Sequence, residues 1–272
     1  MVKQELPLAA SMSLPLVCIT LEGNSVEEVL KQAELATAEG ADLIEVRFDK
    51  LYVEPVRVTA QNTDGVEETS IELVPRSVDS VNVSESISQL KRAIDKPVLF
   101  TCRARSEGGN FPDDESTRIS IIQQAIDSGV SWVDLELSMD SKARKKLVAA
   151  AKETGATVVS SLHNIETTPF TDEIIEMIES NSDKGDIVKL CFQTSNYDNA
   201  LSIFEAAWKL RDSGQNYSIM GTGIGGDWPR IHAPLLNQKI VYSTLKKGFP
   251  LADQGLINIQ DLRISWDMLG HT

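Results

Sequence analysis

The stretch Asp186-Ile-Val-Lys-Leu-Cys-Phe192, "DIVKLCF", has the length and apolar content of a buried strand, yet it carries Lys189 at its centre. At a period of two, Ile187, Lys189 and Cys191 share one face, while Val188 and Leu190 share the other. Seven further runs of this kind occur in the chain: "LPLVCIT" (14–20), "DLIEVRF" (42–48), "PVLFTCR" (97–103), "SWVDLEL" (131–137), "ATVVSSLH" (156–163), "YSIMGTG" (217–223) and "QKIVYST" (238–244). Amphipathic stretches with helix start signals separate them. Ser25 with Glu28 forms a capping-box pattern, Asp114 precedes residues 116–126, Asp140 precedes 143–152, and Thr171 precedes 174–178. Gly40, Gly129, Gly155 and Gly214 stand where four helices should stop. Repeated strand–helix alternation implies a parallel sheet, and eight units in about 250 residues predict an α/β fold, a closed (β/α)8 TIM barrel. A doubly wound open sheet is the competing arrangement.

Residues 54–85 break the rhythm. They are rich in Thr, Ser, Val, Asp and Glu without a clear period, and predict an insertion or long loop ahead of a helix near 86–94. No Gly/Ser linker or internal repeat divides the chain, so a single domain over residues 1–272 is expected, with residues 1–13 as a short N-terminal extension.

Composition narrows the function. A net charge of -14 argues against a nucleic-acid groove or an anionic membrane surface, so an anionic ligand would need a local basic cluster. No apolar run approaches the roughly 20 residues that span a bilayer. The opening MVKQELPLAASMS has neither a signal-peptide core nor transit-peptide arginines, and a cytoplasmic location is expected. Cys18, Cys102 and Cys191 lie in separate apolar segments without ligand-like spacing, as reduced core residues would; a structural zinc site is not expected.

The strand candidates share polar pairs near their carboxyl ends. Glu45 and Arg47, Thr101 and Arg103, Asp134 and Glu136, and Ser161 and His163 each fall on one face of a strand whose other face is apolar. In a barrel the outer face lies under helices, so these groups converge on the axis at the mouth where barrel active sites lie. Taken singly, Glu45–Arg47 fits a structural ion pair, Asp134–Glu136 an exposed sheet face, and His163 a core or loop histidine. Four strands placing such pairs at one end is harder to explain structurally. Lys189 fits an edge-strand lysine snorkelling to water, or an amine that burial and nearby cations keep available as a nucleophile. Such an amine forms an imine with a carbonyl, and His163, one strand earlier, has the unperturbed pKa of a general base near neutrality.

Two loops add to the set. "RSEGGNF" (105–111) carries Glu107 beside Gly108 and Gly109. "MGTGIGGDWPR" (220–230) is a glycine-rich loop leading to Arg230, and such loops at barrel strands seven and eight often hold phosphate. Its spacing matches neither a P-loop nor a dinucleotide fingerprint. Arg47, Arg103 and Arg230 supply the basic cluster that an anionic ligand requires.

The ordered series "EVRFD", "FTCRARSEGG", "DLEL", "SSLHN", "DIVKL", "MGTGIGGDWPR" and "ADQGLINIQDLR" resembles the type I 3-dehydroquinate dehydratases, the Schiff-base enzymes of the shikimate pathway, over nearly the whole chain. The resemblance implies a (β/α)8 barrel that dehydrates 3-dehydroquinate to 3-dehydroshikimate in chorismate and aromatic amino acid biosynthesis. By that resemblance Lys189 is the imine-forming lysine, His163 the general acid/base and Glu107 its orienting carboxylate. Arg230 pairs with the substrate carboxylate. Glu45, Arg47, Arg103 and Gln254 hold ring hydroxyls or close over the substrate, and Met220 packs on the ring. No metal or organic cofactor is implied, and a homodimer is. The chain departs from the family at two serines: Pro229 precedes Arg230, and Pro250 replaces the lid serine in "PLADQ". Two other functions fit parts of the pattern. A class I aldolase or transaldolase would also use a barrel lysine but would need a phosphate grip in Gly221–Gly226, and a non-catalytic metabolite-binding barrel would fit the altered lid.

Overall fold

The computed structural model describes residues 14–61, 67–112, 114–248 and 250–271; the 1–13 extension lies outside them. Ten strands occur among these residues: β1 (Leu16–Leu21), β2 (Leu43–Arg47), β3 (Val53–Gln61), β4 (Glu67–Pro75), β5 (Val98–Thr101), β6 (Trp132–Glu136), β7 (Thr157–Asn164), β8 (Ile187–Thr194), β9 (Tyr217–Gly223) and β10 (Ile240–Ser243). The helices are α1 (Val26–Ala38), α2 (Val83–Ala93), α3 (Glu115–Asp127), α4 (Ser141–Thr154), α5 (Thr171–Glu179), α6 (Tyr197–Leu210), α7 (Trp228–Ile231), α8 (Pro250–Asp253) and α9 (Ile259–Met268).

Eight strands form one parallel sheet in the order β10-β1-β2-β5-β6-β7-β8-β9. The first barrel strand pairs with the last, and strand order never reverses as it would in a doubly wound sheet. The result is the expected (β/α)8 barrel, nearly closed. At the β9–β10 seam no ladder forms among the described residues; one backbone bond, from the Lys239 N–H to the Tyr217 carbonyl at 3.0 Å, crosses it, and side chains add to it. Ser218 donates to the Ile240 carbonyl at 2.7 Å, and Gln238 Oε1 accepts from the Ile219 N–H at 2.6 Å. Higher up, Arg230 donates to Gly221 on β9 and to Tyr242 on β10.

The period-two pattern settles which groups face the axis. Cys18, Leu43, Leu99, Val159, Ile187 and Ile240 fill the barrel interior, with Cys191, Met220 and Tyr242 in the same cluster. Val188, Leu190 and Phe192 of β8 point outward and pack with Ile174 and Ile178 of α5 and Ile203 and Ala207 of α6. A second outer cluster joins α1–α4 and α9 to the first strands. Cys18, Cys102 and Cys191 are buried free thiols.

Helix ends follow local chemistry. Asp114 and Asp140 cap α3 and α4 through their carboxylates, as predicted. Two caps differ. Ser25 accepts from Glu28 N, but Glu28 returns its bond to Asn24 rather than to Ser25, so the box is displaced by one residue. Thr171 is the first residue of α5 rather than its cap, and Glu173 reaches back to the Phe170 N–H. The helix expected near 86–94 starts earlier, at Val83, because Asn82 caps it.

The 54–85 region is not an irregular loop. It contains an antiparallel hairpin, β3 with β4, joined by residues outside those described. Its β-branched residues favour strand. Beyond Val53 the hairpin is not buried against the barrel: Val56, Ile71, Leu73 and Val74 are exposed, and pairing sets Val56 opposite Glu72 and Ile71 opposite Arg57, so its apolar residues do not share one face. No helix among the described residues is long and apolar enough to cross a membrane.

Candidate active site

At the carboxyl end of the barrel lies a cavity of about 270 Å³, lined by Glu45, Arg47, Arg103, His163, Lys189, Met220, Arg230 and Tyr242, with Thr20, Glu22, Cys191, Thr222, Ser243, Thr244 and Leu256. The polar groups come from the strand ends that the alternation singled out. Lys189 is 4 % exposed. Its Nζ lies 3.8 Å from Glu45 Oε1 and 3.8 Å from the centroid of the Tyr242 ring. Glu45 is itself fixed by hydroxyl donors, Thr20 at 2.6 Å on Oε2 and Thr101 at 2.9 Å on Oε1.

In the ladder, Ser161 is paired with Lys189 and His163 with Cys191, so His163 stands two residues nearer the mouth on the neighbouring strand. Glu107 Oε2 accepts from the His163 backbone N–H at 2.9 Å and lies 3.1 Å from Nδ1. Its other oxygen accepts from Ser138. The loop bearing Glu107 folds tightly back on the chain just past β5: Gly108 has φ 75°, and a Cβ on Gly109 would lie 2.0 Å from the Arg103 carbonyl oxygen. Burial lowers the His163 pKa well below the usual histidine range, helped by the charges of Arg103, Lys189 and Arg47, so the ring is neutral near pH 7. Burial raises the Glu107 carboxyl, against the opposing pull of Ser138 and Arg103.

Arg103 ties the strands together below the histidine. It donates to Asp134 at 2.8 Å, Glu136 at 3.0 Å and Ser161 at 2.8 Å, and lies 3.9 Å from Glu107. Burial opposes its charge, but Asp134 and Glu136 outweigh it and hold the guanidinium protonated. For Asp134, burial opposes ionisation, and Arg103 and Lys189 reverse that and hold its pKa low. Arg118 of α3 reaches in to pair with Glu136 and donates to the Cys102 carbonyl.

Arg47 is held at the mouth by a two-pronged bond to Asp49, both contacts 2.8 Å. Asp49 is fully buried and also accepts from the N–H groups of Arg103 and Asn110. Arg230 is 3 % exposed and spends Nε and Nη1 on the carbonyls of Tyr242, Gly221 and Gly226. No hydrogen bond from Nη2 to a described residue accompanies these, and Arg230 is one of the residues lining the cavity. Gly221 and Gly226 approach so closely that a Cβ on Gly226 would meet the Gly221 oxygen at 2.5 Å. The Gly226 N–H bonds the Gly223 carbonyl, and the carbonyls of Gly221 and Gly226 are turned onto Arg230.

The fold thus brings Lys189, His163, Glu107, Glu45, Arg47, Arg103, Arg230 and Met220 to one end of the barrel. Gln254 is the exception: it follows α8, is exposed, and contributes nothing to the cavity wall, where Leu256 stands instead. Sequence reasoning missed Asp49, Ser138, Arg118 and Tyr242 as site residues. Among the described residues no group of three or more His, Cys, Asp or Glu is arranged to hold a metal ion.

The family model for type I 3-dehydroquinase matches residues 17–272. The chain belongs to the type I 3-dehydroquinase family. Among curated relatives, the 3-dehydroquinate dehydratase of Methanococcoides burtonii is 26 % identical over 243 residues, covering 89 % of this chain and 91 % of that protein. The enzyme of the same name from Bacillus subtilis is 27 % identical over 201 residues, covering 73 % and 70 %. Among solved structures, the 3-dehydroquinate dehydratase of Geobacillus kaustophilus superposes with a TM-score of 0.77 at 22 % identity, covering 95 % of this chain and 92 % of that one. The type I family places the chain among the hydro-lyases.

Proposed function

We propose that this barrel dehydrates 3-dehydroquinate to 3-dehydroshikimate through an imine on Lys189, with His163 moving the protons. The observation that carries this reading is the placement of a buried amine on the barrel axis with a neutral histidine on the next strand, oriented by Glu107.

The chemistry follows from those positions. The Lys189 amine adds to the substrate ketone, and loss of water from the carbinolamine gives an iminium. The iminium withdraws electrons and acidifies the adjacent C–H. With Nδ1–H directed to Glu107, Nε2 of His163 carries the free lone pair and takes that proton, leaving an enamine. The resulting imidazolium then returns a proton to the departing hydroxyl, which leaves as water. Hydrolysis of the imine consumes one water and restores the amine, so one water is lost per turnover. Arg230 Nη2 is the donor for the substrate carboxylate, and Glu45, Arg47 and Arg103 are the partners for ring hydroxyls. Met220 supplies the apolar contact. The whole barrel acts as one domain, in the cytoplasm, as a homodimer, on the route to chorismate and the aromatic amino acids. Gln254 contacts substrate only in an arrangement of α8 other than the one described.

A single-turnover test separates the steps. In His163→Ala the imine should still form, while elimination slows by about 10²–10⁴, the range of a general acid/base. Elimination at the wild-type rate in that variant would remove His163 from the mechanism.

A further inference from the structure

Tyr242 has a position that the dehydration scheme leaves without a task. It enters the interior from β10, is 6 % exposed, and lines the cavity beside Lys189. The Lys189 nitrogen sits 3.8 Å from the centroid of its ring, well within the distance at which the negative face of an aromatic ring attracts a cation. No hydrogen bond sets the ring's orientation. The Tyr242 hydroxyl is buried and has no partner among the described residues, so packing and the contact with nitrogen hold the ring where it is. A ring placed only to fill the barrel would be better served by phenylalanine or leucine, which bury no unpaired hydroxyl.

We propose that Tyr242 is a positioning residue for the reacting nitrogen, its π face holding the cationic forms of Lys189 and above all the iminium. The proposal rests on the Schiff-base reading and deepens it. An aromatic face favours the iminium over the neutral imine, and only the iminium is a strong enough electron sink for His163 to remove the adjacent proton. The contact lies in a desolvated interior, where cation–π attraction is at its strongest. Other groups bearing on the nitrogen are Glu45 from β2, Asp134 from β6, His163 from β7, Cys18 from β1 and Cys191 on its own strand, with Arg103 behind Asp134. Asp134 keeps its charge across the neutral range, and burial raises both thiols, so none of these three groups changes charge as pH rises through that range.

Loss of the ring face should lower kcat and let the iminium shed its proton at lower pH. The basic limb of the kcat profile then moves down, while the acid limb set by His163 stays in place. The test compares Tyr242→Phe and Tyr242→Leu with enzymes carrying phenylalanine analogues of increasing ring fluorination at position 242, which weaken the π face without changing its shape. Tyr242→Phe should keep kcat within about 2-fold, whereas Tyr242→Leu should lose about 10-fold and shift its basic limb down by about one pH unit. The fluorinated series should show a stepwise fall in kcat, and it decides the matter if the leucine variant does not fold. A flat fluorinated series, or an unmoved basic limb in Tyr242→Leu, overturns the proposal while the wild type still yields a borohydride-trapped adduct on Lys189. Absence of that adduct in the wild type would instead defeat the Schiff-base reading, and this proposal with it.

Discussion

Glu107 and His163 are joined twice, because one carboxylate oxygen accepts from the histidine backbone N–H at 2.9 Å and lies 3.1 Å from its ring Nδ1. In the proposed mechanism this paired contact sets the tautomer and the rotation of the imidazole and leaves Nε2 as the base. Glu107→Gln retains an acceptor oxygen but loses the charge that stabilises the imidazolium. Steady-state kinetics should show kcat reduced by about 10-fold to 100-fold with KM little changed, less than the full general acid/base contribution. A change confined to KM would assign Glu107 to substrate binding.

The depressed pKa of His163 predicts a direction for the pH profile. The general base proposed for the reaction must be unprotonated in the free enzyme, and burial with three nearby cations keeps His163 so below the ordinary histidine value of about 6.5. The acid limb of kcat/KM should therefore lie below pH 6.5. The same shift acts on stability: the unfolded chain binds this proton near pH 6.5 and the folded one does not, so the contribution present above that pH is lost as pH falls below it. An acid limb at or above 6.5 would show that the imidazole is not shielded as described.

Arg103 is the sole described cation that bonds both Asp134 and Glu136 from within the barrel, and all three are buried. Arg103→Met fills similar volume but takes from Asp134 its bonded cation and leaves Glu136 with Arg118 alone. Chemical denaturation should show a loss of about 3–5 kcal/mol, the usual cost of removing one partner from a buried ionic cluster. Asp134→Asn in the same background should recover part of it, since one uncompensated charge is gone. Equal stability of wild type and Arg103→Met would mean that water or Arg118 replaces the lost guanidinium.

Asp49 anchors Arg47 and two backbone N–H groups, and its loss should be felt in both stability and binding. Asp49→Ala should cost about 1–3 kcal/mol for the donors left buried, and raise KM as Arg47 is freed. Unchanged KM would separate Arg47 from the substrate.

Asp49 also marks where the sequence stops being informative. The barrel could be read because each strand repeats one pattern, apolar outward and polar inward, and a lysine or a carboxylate in such a run stands out. Glu45, Arg103, His163 and Lys189 were legible for that reason. Asp49 lies past the end of β2 in a short 3-10 turn over residues 48–52, where no period assigns a face. Ser138 and Arg118 act across the fold from a turn and a helix, and their partners become visible only once β5 and β6 are side by side. Tyr242 reads as core in any apolar run. The β3–β4 hairpin is harder to read because its alternations, over residues 56–60 and 71–73, are short, lie among Thr, Ser and Glu, and mark no buried face. Gln254 was carried by resemblance alone, and α8 leaves it outside the cavity.

The central claim is covalent attachment of substrate to Lys189, and borohydride reduction in the presence of 3-dehydroquinate tests it most directly. The expected result is a single reduced adduct, located by peptide mass analysis on the peptide containing Lys189, with both adduct and turnover abolished in Lys189→Ala. An adduct on another residue, or a Lys189→Ala enzyme that dehydrates at the wild-type rate, would contradict it.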